Sequence, residues 1–571
     1  MAIQISPGVS VSEIDQTTVV PSILTTAGAF AGNFAWGPAY QIQTITDEVA
    51  LVNTFGKPNS NNASTFLTAA SFLAYGNNLK VVRAVDQLAT NATSGNSQVP
   101  INNSQVYNDA VLNSDFSNAY GAFSGRYPGS LGNSLTVSIV DAASYSTTWN
   151  INGIGVASYF NGAPGTSSQA AAYGSSNDEI HIVVMDTGGA FTGTKNTVLE
   201  TFPYVSKATN LTDSLGNSNW YKQVLLNQSK YIYAIDPPNY VTTNSTWNKP
   251  ASNNFSFATL ASANSYYLAG GVDNVPSDAN TIAAFAKYQS PDDVDISLVI
   301  TGAASNTVQQ YVIDNIVNSR KDCVAFISPP SSAVVNQSGS ETTNIITWYT
   351  GLGRTSSYAV ADSGWKYMFN KYNNTYQYVP LNGDIAGLCV YTDAVRDPWY
   401  SPAGLNRGAL KNVVRLAWNP KQTDRDTLYS KGINSVISLP GQGTVLYGDK
   451  TLQSKPSAFD RINVRRLFIV LEKAISTASK YSLFEFNDDF TRADFVAMVT
   501  PFLRDVQGRR GITDFRVVCD TTNNTPQVID ANQFVGDIYI KPARSINYIQ
   551  LNFVAVRTGV NFTTVVGASG Q

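Results

Sequence analysis

The spacing of hydrophobic and polar positions changes along the chain, beginning with an alternating stretch at the start. Apolar side chains there alternate with polar ones, and a Ser-Pro-Gly interruption falls at residues 6–8. The apolar members are Ile3, Ile5, Val9 and Val11. This pattern predicts a short, bent strand, which Pro21 separates from the sequence that follows. A strand cut off in this way must pair with a distant segment of the same chain or of another copy.

The next region mixes helical and strand patterns. Residues 27–34 and 79–85 are apolar runs that predict buried strands, and Thr46-Asp-Glu predicts the start of a helix. Residues 91–260 are rich in Asn, Ser, Gly and Thr and contain short alternating segments at 135–140 and 180–185. This change of character predicts one or two mainly-β units inserted into the α/β core.

An α/β rhythm returns over residues 261–345. Helices are predicted at 280–288 and 306–319, and strands at 294–301 and 323–327. We therefore expect an α/β subdomain here.

The strongest helix signals lie near the end of the chain. Residues 457–460 match a capping box, and apolar residues then recur at helical spacing from Val464 to Ala478. A second box at 491–494 predicts another helix, which Gly508 is placed to end. Strands are predicted at residues 515–519, 537–540 and 549–556. In the last of these, Leu551, Phe553 and Ala555 alternate with other residues, as in a half-buried strand.

These patterns predict a multidomain α+β or α/β protein with a discontinuous core. The predicted units are an N-terminal arm (1–20), a core (21–90 with 346–548), an inserted mainly-β part (91–260), an α/β subdomain (261–345) and a C-terminal strand and arm (549–571).

Composition narrows the classes of function. Charged residues make up 13% of the 571 residues and the net charge is only -3. The chain therefore lacks the strong positive electrostatic potential that would hold nucleic acid or an anionic membrane. A hydrophobic share of 43% argues against general disorder. No secretory signal and no apolar run long enough to span a bilayer is visible. Three widely spaced cysteines fit a chain folded in a reducing cytoplasm.

Candidate catalytic chemistry is sparse. His181 is the sole histidine and alternates with apolar neighbours, which is typical of a structural residue in a strand. Residues 351–355 suggest a phosphate loop but lack its Gly-Lys-Ser/Thr ending, so we interpret them as a turn. The aromatic residues Trp365, Tyr367 and Phe369 are not interleaved with a basic stripe, which favours core or interface packing over base stacking. The sequence therefore predicts neither an enzyme nor a cofactor or metal site.

Several segments carry a recognisable pattern. They are SPGVSVSEI (6–14), GNFAWGP (32–38), FGKP (55–58), GRYPGSLGN (125–133), PSAFDRINVRR (456–466), RRGITDFRVVC (509–519), NNTP (523–526) and SINYI (545–549). Together they resemble the contractile tail sheath proteins of bacteriophages of the myovirus type, over the first 90 residues and the last third. One departure is Leu131, where this family often has Trp.

The resemblance implies a structural subunit that polymerises as stacked hexameric rings around a tail tube and contracts to drive the tube through the host cell envelope. The expected partners are other copies, the tail tube protein and the baseplate and tail terminator proteins. The expected location is the virion, after synthesis and assembly in the host cytoplasm. The common core would lie inward, the inserted part would face outward, and terminal arms would add strands to sheets of neighbouring copies. The residues expected to exchange are Ile3, Ile5, Val9, Val11, Leu551, Phe553 and Ala555.

A dense basic grouping supplies a candidate tube-facing surface, because many weak exposed ion pairs can hold a tube and still release it. Its members are Arg461, Arg465, Arg466, Arg504, Arg509 and Arg510. The alternative is a solvated helix face with ion pairs inside the chain.

Two other functions fit parts of the pattern. One is the sheath of a bacterial contractile injection device, and the other is a glycan-binding virion surface protein, suggested by the Asn- and aromatic-rich insertion.

Overall fold

The computed structural model describes Val20, residues 23–112, 120–238 and 246–547, and Gln550. Apart from Gln550, the predicted strand at 549–556 lies outside the described residues, and so do all residues expected to exchange. These are Ile3, Ile5, Val9, Val11, Leu551, Phe553 and Ala555.

The described chain contains both helices and strands. The strands are β1 (Gly28–Asn33), β2 (Ile42–Ile45), β3 (Leu79–Ala84), β4 (Phe123–Gly125), β5 (Leu135–Asp141), β6 (Asn150–Ile151), β7 (Ile154–Gly155), β8 (Glu179–Asp186), β9 (Thr197–Ser206), β10 (Ile232–Ala234), β11 (Asn264–Tyr267), β12 (Leu298–Ile300), β13 (Val324–Ile327), β14 (Ala359–Asp362), β15 (Trp365–Asn370), β16 (Thr375–Pro380), β17 (Arg415–Leu416), β18 (Ile433–Asn434), β19 (Val436–Leu439), β20 (Gly443–Leu446), β21 (Ile512–Val518) and β22 (Asp537–Pro542). The helices are α1 (Glu48–Phe55), α2 (Ala63–Leu73), α3 (Ser104–Ala110), α4 (Ser168–Ala172), α5 (Tyr221–Gln228), α6 (Asp278–Phe285), α7 (Asn306–Tyr311), α8 (Asn318–Arg320), α9 (Ser331–Val334), α10 (Glu341–Leu352), α11 (Asn382–Val395), α12 (Gln422–Ser430), α13 (Ile462–Ser479), α14 (Asp489–Gly508) and α15 (Pro526–Asp530).

A seven-stranded sheet of the described residues forms the core, in the order β18-β14-β13-β12-β1-β3-β2. Its pairs are parallel except at the edge, where β2 runs antiparallel to β3. Helices cover both faces of such a sheet, so its inner strands must be apolar on both sides. Strands β12, β13 and β14 are accordingly buried along their whole length. Residues of α6 and α10 pack on one face, and residues of α2 and α11 on the other.

The topology corrects the predicted subdomain at residues 261–345. Strands β12 and β13 lie in the core sheet between β1 and β14, so this stretch is part of the core. The predicted strand at 294–301 is also shorter, since only Leu298–Ile300 joins the sheet. Sequence periodicity detects such strands but does not show which sheet they join.

The region predicted as a mainly-β insertion contains several strands, and its sheet extends beyond the predicted end. Its principal sheet has the order β11-β5-β8-β9, and β11 lies beyond the predicted boundary at residue 260. Thr90 and Val272 exchange backbone hydrogen bonds of 3.3 and 3.2 Å. These bonds join the two chain segments that connect the insertion to the core. Inside, Lys207 forms a 3.0 Å ion pair with Asp141, and both side chains are buried.

Helices α13 and α14 and the hairpin β21–β22 form a separate layer at the end of the chain, which we call the C-terminal layer. Both predicted capping boxes are wrong in position. Ser457 caps a short 3-10 turn (Ala458–Asp460), and α13 begins only at Ile462. Helix α14 begins at Asp489, capped by the side chain of Asp488, which accepts a hydrogen bond from the Thr491 amide. A carboxylate at this position also interacts favourably with the positive end of the helix dipole.

This arrangement of mixed helices and sheets confirms the predicted multidomain α+β fold. Within the described residues, no helix has the length and apolar composition needed to cross a bilayer.

Candidate assembly site of the C-terminal layer

The N-terminal segment enters the described structure on the C-terminal layer. Val20 is buried in the apolar cluster that joins α13, α14 and Trp399. The Thr25 hydroxyl donates a 2.7 Å hydrogen bond to Asp393 of α11. These contacts anchor the chain directly after the segment that precedes Val20.

The chain that follows β22 is anchored by polar contacts. The Ser545 hydroxyl donates to an oxygen of Asp449 at 2.9 Å, and the Asn547 amide lies 2.9 Å from the Tyr429 hydroxyl. Arg461 closes this group with a 3.2 Å ion pair to Asp449 and a hydrogen bond to Tyr429. Burial, followed by the nearby Asp449 carboxylate, raises the pKa of Tyr429 to about 12. We call these five residues the polar anchor.

The pair β21–β22 shares the apolar cluster of the C-terminal layer with Val20, and β22 ends at Pro542, shortly before Ser545 of the polar anchor. The pair is a two-stranded antiparallel sheet, in which Phe515 is paired with Ile540 and Val517 with Ile538. One side packs on α14 through the apolar cluster of the C-terminal layer. Within the described part of the chain, neither outer edge pairs with another strand, so each edge offers backbone groups to an added strand.

Arg466 does not provide a surface charge. Its guanidinium is buried and holds Asp393 through two hydrogen bonds of 2.8 and 2.6 Å, in bidentate geometry. Burial alone would lower the pKa of Arg466, but the Asp393 carboxylate outweighs it and raises the pKa above its usual range. Asp393 also accepts the bond from Thr25, so this pair joins α11, α13 and the N-terminal segment.

Arg465 is also buried. Its guanidinium carbon lies 3.9 Å from the ring centre of Phe459 and 4.1 Å from that of Tyr358, and one nitrogen donates to the Tyr358 hydroxyl at 3.1 Å. Burial lowers the pKa of Arg465. The burial of Arg465 and Arg466 contradicts their predicted tube-facing role, because α13 turns both side chains into the subunit.

The remaining arginines are more accessible. Arg504 and Arg510 are exposed, on α14 and just after it. Arg509 is half exposed and pairs with Asp397 and Asp505. The structure therefore separates the predicted grouping into an internal part on α13 and an outer part at the end of α14.

His181 has a structural environment. It is fully buried in β8, with Nε2 2.9 Å from the Gly162 carbonyl oxygen and Nδ1 accepting from the Tyr204 amide at 3.1 Å. The Phe160 ring stacks on it at 4.2 Å. Burial lowers the pKa of His181, so the ring is neutral at physiological pH. This confirms the structural interpretation.

At the carboxyl ends of β13 and β14, in the region where α/β sheets usually bind ligands, buried polar groups of the chain bond to one another. Ser328 donates to Asp362 at 2.6 Å and accepts from the Asn382 amide at 3.1 Å, and all three residues are buried. Residues 351–355 do not form a phosphate loop, because α10 ends there and Gly353 adopts the left-handed conformation of a helix cap. Among the described residues, no three His, Cys, Asp or Glu side chains form a group suited to a metal ion.

Sequence reasoning missed the acidic partners that organise this site. Arg466 and Asp393 are 73 residues apart, and no local pattern marks either Asp393 or Asp449 as a partner. Their roles come from the packing of α11 and α13 and from the return of the chain after β22.

Comparison with known proteins identifies the family. The phage tail sheath C-terminal domain matches residues 454–555, the tail sheath protein central domain residues 277–452, and the N-terminal region of Gp18 domain III residues 26–84. The latter two ranges flank the inserted domain. The tail sheath protein of Vibrio phage KVP40 is 33% identical, over 99% of this chain and 100% of its own length. The chain belongs to the phage tail sheath protein family.

Other tail sheath proteins give the same result. That of Enterobacteria phage T4 is 32% identical over 99% of this chain and 100% of its own length, and that of Salmonella phage ViI is 31% identical over 99% and 98%. The crystal structure of the sheath tail protein Lin1278 from Listeria innocua has the same fold, with a TM-score of 0.52 and 10% identity over 91% of this chain and 96% of that one. As a tail sheath protein, the chain is a structural subunit of a contractile phage tail and a component of the virion.

Proposed function

We propose that this chain polymerises as stacked hexameric rings around the tail tube and contracts to drive the tube through the host cell envelope. The terminal segments join the copies, in that residues 3–11 and 551–555 add strands to the β21–β22 sheets of other subunits. The polymer is assembled in the host cytoplasm and is bounded by the baseplate and the tail terminator.

The observation that supports this proposal is the two-stranded β21–β22 sheet, which has no further strand among the described residues, shares an apolar cluster with Val20 and is followed closely by the polar anchor. Backbone hydrogen bonds contribute about 0.5–1.5 kcal/mol each, so a strand of four to six residues adds several kcal/mol per link. Ring symmetry multiplies these links without further contacts. Since Val20 and the polar anchor are fixed on the subunit, the segments beyond them can act as hinges while the paired strands stay paired.

Deletion of residues 1–15 tests the strand link. The deleted residues precede Val20, so the subunit should keep its melting temperature and be recovered as a soluble monomer. A matched control replaces the alternate polar residues Gln4, Ser10 and Ser12 by Ala, which should leave polymerisation intact. Polymers of normal morphology from the deletion variant would refute the strand link.

Tube contact is proposed for the outer arginines. Arg504 and Arg510 are exposed, and we find no ion pair to either within the described residues. Exposed ion pairs contribute about 0–1 kcal/mol each. Such weak pairs can align the subunit on an acidic tube surface and still let it release. Reversal of both charges to Glu should impair co-assembly with tubes. The same charge change at Lys195 and Lys249 of the insertion is the control, and equal impairment there would contradict the assignment.

We further propose that the subunit works without catalysis or a cofactor, since both ring nitrogens of His181 are engaged and the buried polar groups at the carboxyl ends of β13 and β14 bond to one another. The work of contraction would then come from free energy stored in the extended polymer.

A further inference from the structure

The connection between α13 and α14 exposes an unusual number of large apolar side chains. We call residues 481–490, which include the first two residues of α14, the aromatic loop. Its exposed apolar residues are Tyr481, Leu483, Phe484, Phe486 and Phe490. Phe486 is 84% exposed, and Phe484 is fully exposed with a left-handed backbone (φ 71°). A bulky residue in that conformation is strained, so the loop holds an unfavourable backbone geometry at the position where this ring is exposed to solvent.

The extent of this surface fits a protein interface. An aromatic side chain buries about 150–250 Å² when it is covered, so the four aromatic residues of the loop could together approach the roughly 800 Å² per partner of a standard interface. Five large apolar side chains exposed within ten residues of one segment are typical of an interaction site in a soluble protein.

A second exposed aromatic surface lies on the sheet β16-β15-β17. Tyr367 of β15 is paired with Tyr378 of β16, and Phe369 with Tyr376, which places all four rings on one face of the sheet. The ring centres of the two pairs are 4.7 and 5.1 Å apart. The guanidinium carbon of Arg415 lies 4.7 Å from the centre of the Tyr367 ring. We call these five residues the aromatic face.

The two surfaces are complementary in charge. The aromatic loop contains the exposed carboxylates of Glu485 and Asp488, and Asp494 is exposed shortly after it on α14. The aromatic face carries the exposed Arg415, to which we find no ion pair within the described residues. Both surfaces are solvent-exposed in a single subunit, so neither covers the other.

We propose that the aromatic loop of one copy docks on the aromatic face of a second copy. Two different complementary patches on one chain give a head-to-tail contact, which propagates into rings or helices and does not stop at a dimer. The inference deepens the proposed function and rests on it, because it adds a side-chain contact to the sheath polymer beside the strand links. An apolar contact of this size is suited to copies that stay together, whereas a tube surface that must slide is better served by weak ion pairs.

Cysteine cross-linking in assembled polymers tests the contact. The native thiols of Cys323, Cys389 and Cys519 are buried and should not react with a short bismaleimide. Polymers assembled from a mixture of Phe486→Cys and Tyr376→Cys subunits should give covalent dimers, and either variant alone should not. Leu215→Cys, at an 84% exposed position in the insertion, replaces Tyr376→Cys as the matched control and should give no dimer.

The outcomes separate this inference from the proposed function. Polymers that form without the 486–376 cross-link, with a symmetric 486–486 cross-link, or with position 486 linked to the tube protein would overturn the inference and leave the sheath function standing. Failure of the unsubstituted chain to polymerise under any condition would overturn both. Cross-linked peptides that join position 486 of one copy to position 376 of another would support both.

Discussion

The buried carboxyl group of Asp362 provides a sharp test of the core. It lies at the end of β14, fully buried, and accepts hydrogen bonds from the Ser328 hydroxyl at 2.6 Å and the Gly364 amide at 2.8 Å. Burial, reinforced by the negative charge of Asp384, raises the pKa of Asp362 to about 8. Asp384 itself forms a 2.8 Å ion pair with Lys366, so that lysine is already engaged.

The direction of the pH effect follows from this raised pKa. In the unfolded chain the group ionises near pH 3.8, whereas in the fold it stays protonated until about pH 8. Its contribution to the free energy of unfolding is therefore fully present below pH 3.8 and is lost as the pH rises to 8. At 1.36 kcal/mol per pH unit, the loss at pH 7 is on the order of 4 kcal/mol.

Asp362→Asn should restore that stability, because the amide is isosteric and uncharged. Urea or thermal unfolding followed from about pH 5 to 9 should show the variant more stable than the natural chain, by a margin that grows with pH and levels off above about pH 8. Asp384→Asn is the contrasting control, since it leaves the buried Lys366 unpaired and should destabilise the fold throughout. If Asp362→Asn is destabilising by the same amount at every pH, the carboxyl group is ionised in the fold and the reasoning is refuted.

Three further predictions concern other buried groups. Asp393→Asn should lower the free energy of unfolding by about 3–5 kcal/mol, because Arg466 stays buried without its partner, whereas Asp393→Leu with Arg466→Met should cost much less in the same unfolding assay. Lys207→Met should destabilise the insertion by several kcal/mol by leaving Asp141 unpaired, and limited proteolysis should then cleave the insertion before the core. His181→Ala should lower the melting temperature of the insertion yet leave polymers visible by electron microscopy; loss of polymers with a fully folded insertion would contradict its structural role.

Local patterns predict much of the fold. The apolar runs at 27–34 and 79–85 correspond to the neighbouring strands β1 and β3, and the helical spacing from Val464 to Ala478 corresponds to α13. These signals succeed because burial on a sheet or on one helix face leaves a regular spacing in the sequence. The predicted helix starts are wrong because Ser457 caps a 3-10 turn first, and because Asp488 is as good a cap as Thr491.

The candidate site is less predictable. Arginine density at 461–466 suggests a surface, but α13 buries Arg465 and Arg466 because their partners Tyr358 and Asp393 come from distant parts of the chain. Long-range pairing also explains why residues 261–345 do not form the separate unit that their pattern predicts. The sequence of a single strand does not show which strands will be its neighbours in the core sheet. The aromatic loop carries a visible signal in its run of apolar residues after α13, and only its exposure in the fold shows that this signal does not mark core.

The measurement that tests the account most directly is an electron cryomicroscopy structure of the assembled polymer, with both ends of the chain traced. The account predicts that residues 3–11 and 551–555 cross to other copies and complete the edges of their β21–β22 sheets. A polymer in which both ends of every chain lie wholly within their own subunit would contradict it.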